Sequence, residues 1–127
     1  MADLLQTGSD WLADQLQTHA SRMITYRRGV DSAEVQATVG RTVFETDDGS
    51  GVIVTSEVRD YLIQTADLVL AWLQIEPAKG DRIEEVEGTV TYIYEVASVG
   101  SEPCWRYSDP YRKLLRIHTR LVGVQTA

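Results

Sequence analysis

Hydrophobic positions along the chain follow two different periods. Between Asp3 and Met23, the residues Leu5, Leu12, Leu16 and Met23 recur at the spacing of one helix face, with Leu4 and Trp11 flanking it. They predict an N-terminal amphipathic helix over residues 1–22. Gly8 weakens it by about 1 kcal/mol relative to Ala, and Ser9 or Asp10 can cap a helix that starts later. After Arg22 the period falls to two. Val35, Ala37 and Val39 alternate with polar neighbours, as do Val90, Tyr92, Tyr94 and Val96, and then Leu115, Ile117, Thr119 and Leu121. Shorter β-prone runs cover 23–27, 52–55, 59–64 and 82–86. Breakers separate these runs: Gly29, Gly40, the Asp48-Gly49-Ser50-Gly51 stretch, Pro77 through Asp81, Gly88, Gly100 and Pro103. The prediction is a mainly β (α+β) chain, with the helix leading into a small antiparallel β-barrel or sandwich of about seven strands over residues 23–127. No internal repeat or linker divides it, so residues 1–127 read as one domain.

Composition agrees with a globular domain: 43% of residues are hydrophobic and 24% are charged. A net charge of -7 argues against sequence-independent gripping of a phosphate backbone. The charge is segregated. Residues 45–102 hold thirteen acidic and three basic residues, whereas 104–120 hold five basic residues (Arg106, Arg112, Lys113, Arg116 and Arg120) against Asp109 alone. Two readings follow: the regions neutralise each other in the fold, or they form opposite faces suited to contact between copies. Cys104 is the only cysteine, which excludes an intrachain disulfide and fits a reducing compartment. The N-terminus, interrupted by Asp3, Gln6, Asp10 and Asp14, lacks a signal peptide's apolar core, and no apolar run is long enough to cross a bilayer.

The residues offer little chemistry. His19 and His118 lie in no catalytic or metal-binding motif and read as surface residues. Glu45, Asp47 and Asp48 lack the calcium-loop pattern, and Gly49-Ser50-Gly51 lacks the lysine of a phosphate loop. Glu84, Glu85 and Glu87 read as charge on a β-surface. No catalytic residue, cofactor or metal is therefore expected. Tyr92, Tyr94, Trp105, Tyr107 and Tyr111 mix with arginines, a combination that can stack single-stranded bases. The competing reading places Tyr92 and Tyr94 on a buried strand face, and Trp105 with Tyr107 in the core or in a subunit contact.

Several stretches occur in a telling order: Ser9-Asp10-Trp11-Leu12, Thr25-Tyr26-Arg27-Arg28-Gly29, Arg59-Asp60-Tyr61-Leu62-Ile63, Glu76-Pro77-Ala78-Lys79-Gly80-Asp81-Arg82-Ile83, Tyr94-Glu95-Val96, Trp105-Arg106 and Arg116-Ile117-His118-Thr119. Taken together, over nearly the whole chain, they resemble the head-tail joining (head-completion, stopper or connector) proteins of long-tailed phages and prophages. The long apolar segment 67–75 departs from the smallest members of that class. The resemblance implies a structural virion protein with an N-terminal helix before a small β-barrel. Such a protein assembles as a ring at the portal vertex, closes the filled head and docks the tail. It also implies partners: further copies of the chain, portal or adaptor proteins and tail proteins, with DNA only passing through a lumen and no membrane. The expected location is the virion, reached from the host cytoplasm during assembly. The expected assembly surfaces are the 45–51 loop with Glu45, Asp47 and Asp48, the 99–111 loop with Trp105 and Tyr107, and the Arg112, Arg116 and Arg120 face. Leu4 and Trp11, off the helix's main stripe, would pack on a neighbour. Other readings are a tail terminator or other neck component, a single-strand nucleic-acid-binding barrel and an enzyme accessory domain.

Overall fold

The computed structural model describes residues 21–47 and 49–126. Nine strands follow in order: β1 (Ser21–Arg28), β2 (Asp31–Asp47), β3 (Ile53–Gln64), β4 (Val69–Leu70), β5 (Leu73–Gln74), β6 (Arg82–Glu87), β7 (Val90–Val96), β8 (Trp105–Tyr107) and β9 (Leu114–Thr126). One 3-10 turn, Thr65–Asp67, precedes β4. The body of the predicted helix lies outside the described residues. Its expected last residues do not continue it: Ser21, Arg22 and Met23 pair with Thr38, Ala37 and Gln36 as the start of β1. The reason is that the strand's inward phase already begins at Arg22, two residues before buried Ile24.

Six strands close into an antiparallel barrel, in the order β1-β2-β3-β9-β7-β6 and back to β1. Closure removes the unpaired edges a flat sheet would expose. The alternation read from sequence sets the inward phase: Ile24, Tyr26, Val35, Ala37, Tyr61, Ile63, Ile83, Val96, Leu115 and Ile117 are all buried. The runs at 52–55 and 59–64 turn out to be one strand, β3.

Three features go beyond the minimal barrel. First, β3 pairs with β9 only from Arg59 onward, and β2 pairs with β1 only as far as Thr38. Past those points, among the described residues, β2 and β3 pair with each other alone, through Asp47 and Ile53, so the expected 45–51 loop falls at the end of a two-stranded ribbon that stands off the barrel. Second, β8 is collinear with β7. Both line the same edge of β9, Val96 opposite Thr119 and Trp105 opposite Ile117. Residues between them loop out, pinched at His118, whose carbonyl accepts from the Ala97 N–H while its own N–H donates to Cys104 O.

Third, the apolar segment after β3 plugs one end of the barrel. Leu68 and Leu70 are buried against the core, and the β4–β5 hairpin turns outward. The two central residues of that hairpin, Ala71 and Trp72, have φ values of 50° and 71°. Other tight turns of the barrel place glycine at such positions, as at Gly29 and Gly88. For a residue with a side chain the left-handed conformation costs about 1–2 kcal/mol.

Candidate assembly surfaces

Three buried carboxylates organise the polar groups, and each holds arginine. At the plugged end, Asp81 accepts from Arg28 Nε at 2.9 Å and from Arg28 Nη2 at 2.7 Å. It also accepts from the Tyr26 hydroxyl and from the Ala78 N–H. The Pro-Ala-Lys-Gly-Asp turn is thereby tied to β1. Burial pushes the Tyr26 hydroxyl well above its ordinary pKa, and its bond to Asp81 pushes it further.

At the opposite mouth, Glu85 accepts from Arg59 at 2.6 Å and from Arg22 at 3.2 Å. Arg59 also donates to the Tyr61 hydroxyl and lies over the Tyr94 ring, 5.3 Å from its centre. Burial alone would lower the Arg59 pKa, but the bonds to Glu85 and Tyr61 outweigh it and leave it raised. Tyr61 is pushed up by burial, with Arg59 opposing. Reading Glu84, Glu85 and Glu87 together as surface charge fails for Glu85, which is 3% exposed. It shares the inward phase of Ile83, where an arginine-lined mouth accommodates a carboxylate.

The third carboxylate, Asp60, lies on the outer face of β3. It accepts from the Thr42 hydroxyl and from Arg116 at 2.6 Å, and meets His118 Nδ1 at 2.7 Å. His118 Nε2 faces Glu102 of the looped-out segment at 3.1 Å. The surface reading of His118 is therefore overturned: the loop covers it and it is 0% exposed. Period-two patterning reports which face a residue occupies, not whether a distant loop covers that face.

The sequence-predicted interface residues are dispersed over these elements. Glu45 is exposed near the ribbon tip and Asp47 ends β2, while Asp48 lies outside the described residues. Trp105 and Tyr107 sit on β8, half-buried against the core with their rings edge to face at 5.1 Å. Arg112 precedes β9 and lies over the Tyr107 ring. Arg116 and Arg120 share the outer face of β9, Arg116 bound to Asp60 and Arg120 to Glu95 at 3.0 Å. The acidic and basic halves of the chain thus meet at these two pairs.

Sequence reasoning did not single out several exposed apolar residues: Val43 and Ile53 on the ribbon, Val52 beside them, Val86, Val122 and Val124 on β6 and β9, and Trp72 with Leu73 on the β4–β5 hairpin. Only Trp72 carried a signal, as an aromatic residue within an apolar run. Between the ribbon and the barrel mouth lies a cleft of about 630 Å³ bordered by Val39, Arg41, Glu57, Arg59 and Tyr94. The Cys104 thiol is buried, which raises its pKa. Among the described residues no group of three or more His, Cys, Asp and Glu side chains is placed to hold a metal, and no helix is long and apolar enough to cross a membrane.

Comparison with known families gives one match: the model described as phage head-tail joining protein matches residues 2–126. No curated protein matches the chain.

Proposed function

Because the chain belongs to the phage head-tail joining protein family, we propose that it assembles as a ring at the portal vertex, closes the filled head and forms the surface on which the tail docks. The observation that carries this reading is the β2–β3 ribbon. An isolated two-stranded ribbon is marginal in water. This one nevertheless extends well past the barrel and leaves Val43 and Ile53 more than half exposed, at 55% and 65%. Burying such residues against a neighbouring subunit or an adjoining connector ring recovers about 25 cal/mol for each Å² of apolar surface removed from water.

The charged residues take their places around that contact. Glu45 near the ribbon tip, with Asp47 and Asp48 following it in sequence, meets cationic surface of a neighbour, and Arg120, exposed beside Glu95, is the counterpart on β9. Arg116 acts indirectly, by holding Asp60 and so the root of the ribbon. Trp105, Tyr107 and Arg112 stiffen the segment that flanks this face. The acidic balance of the chain lets DNA pass through a lumen without being gripped. The reading requires no cofactor and no catalytic residue. The single-strand-binding alternative loses support because Trp105 is packed against the core.

Native mass spectrometry of the purified chain, alone and mixed with portal rings, tests the proposal. The expected result is a monomer in dilute solution and a cyclic multimer on the portal. Placing aspartate at Val43 and Ile53 should abolish the multimer while the circular dichroism spectrum stays unchanged. A compact, stable dimer with no affinity for portal or tail components would overturn it.

A further inference from the structure

The β4–β5 hairpin presents the most exposed aromatic side chain among the described residues. Trp72 is 97% exposed and Leu73 beside it 68% exposed, at the tip of a turn whose two central residues both hold a left-handed backbone. A bulky residue in that conformation persists only where its surroundings fix it. Here they do: Leu68 and Leu70, just before the turn, are buried in the plug, and the Ile75 N–H closes the base of the hairpin on Leu68 O at 3.0 Å. The backbone that carries the indole is fixed, so docking it orders little beyond the two side-chain torsions of Trp72. Tryptophan is also among the residue types that most often dominate a protein–protein contact.

The chain contains a matching socket. The cleft at the foot of the ribbon offers the Tyr94 ring and the Val39 side chain as apolar walls, and the guanidinium groups of Arg41 and Arg59 as cations for the face of an indole. The Glu57 carboxylate, paired with Arg41 at 3.3 Å and 54% exposed, keeps lone pairs that can also accept the indole N–H. The knob lies beyond the end of β3 and the socket beside its middle, at Glu57 to Arg59, about 20 Å apart along the strand. Trp72, at 97% exposed, does not fill the socket of its own chain.

We propose that the Ala71–Trp72 turn is a self-association knob that seats in the cleft beneath the ribbon of a second copy of this chain. Knob and socket are different surfaces, so the contact is heterologous and each copy keeps one free end of each kind until the assembly closes. The inference rests on the ring reading given above and supplies the contact that repeats around it. A two-fold dimer would instead set like surface against like.

The test uses two variants of the full chain, Trp72→Ala in the knob and Glu57→Lys in the socket, each checked for folding by circular dichroism and mixed with portal rings under native mass spectrometry. Each should lower the occupancy of complete rings at least tenfold at a given concentration. The two together should do no more harm than either alone, because both remove one contact. Rings formed by Trp72→Ala as readily as by the wild type would overturn the proposal, and so would losses that multiply in the double variant. If the wild type forms no ring on the portal, the ring reading fails separately. The knob is then decided by sedimentation equilibrium of the chain alone at high concentration, where Trp72→Ala must weaken association tenfold or be rejected.

Discussion

At one end of the barrel Leu68 and Leu70 join the buried core that includes Tyr26 and Ile83, and Asp81 ties the turn before β6 to Arg28. At the other end no such plug is seen among the described residues. Glu85 holds Arg59 and Arg22 in an open mouth, with the ribbon standing above it. Both ends bury a carboxylate on arginine, but the surroundings differ. The Asp81 carboxylate also satisfies a buried hydroxyl and a backbone N–H, whereas Glu85 accepts from arginines alone. One end is finished within the chain. Among the described residues the other end leaves apolar and charged groups uncovered.

Removing each carboxylate sharpens this contrast. Asp81→Ala strands the buried Tyr26 hydroxyl and the Ala78 N–H, and should cost about 3 kcal/mol in chemical denaturation. Glu85→Ala should cost less, about 1–2 kcal/mol, because Arg59 and Arg22 can turn to solvent through the mouth. Equal losses would remove the distinction between the ends.

The tyrosines give a second comparison. Tyr26 and Tyr61 both have hydroxyls raised above their ordinary pKa by burial. Since the folded state holds these protons more tightly, their contribution is intact below about pH 10, the unfolded value, and is lost as pH climbs toward the raised folded values. Stability measured by denaturation should therefore fall progressively above about pH 10. Tyr61→Phe should make that fall shallower. An unchanged slope would show that Tyr61 titrates as it does in the unfolded chain.

The smallest expected effect lies in the ribbon. Val43→Ser removes one methyl group and replaces the other with a hydroxyl on solvent-facing surface, and should shift stability by no more than about 0.5 kcal/mol. A loss of several kcal/mol would mean that the ribbon is bound into the fold of the single chain rather than held out for a partner.

Much of the barrel was legible because period-two alternation records one wet and one dry face: the inward phases of β2, β7 and β9 follow directly from it, although Leu121, on the inward phase of β9, is 53% exposed. The ordered motifs were legible too, and the structure gives several of them mechanical roles. Tyr26, Arg28 and Asp81 form one clamp, and Asp60, Arg116 and His118 another. The short strand β8 was missed because Trp105-Arg106-Tyr107 is too brief for periodicity and owes its pairing to β9.

The sequence by itself determined the alternating core, the turns between strands and the family, since these depend on local spacing and on the order of motifs. Only the tertiary structure decided that the apolar segment after β3 is a plug carrying an exposed tryptophan, that Glu85 and His118 are buried, and that the acidic 45–51 stretch crowns a ribbon. Those outcomes depend on which distant residues cover a given face. Covering is a property of contacts between strands far apart in the chain, and no local period encodes it.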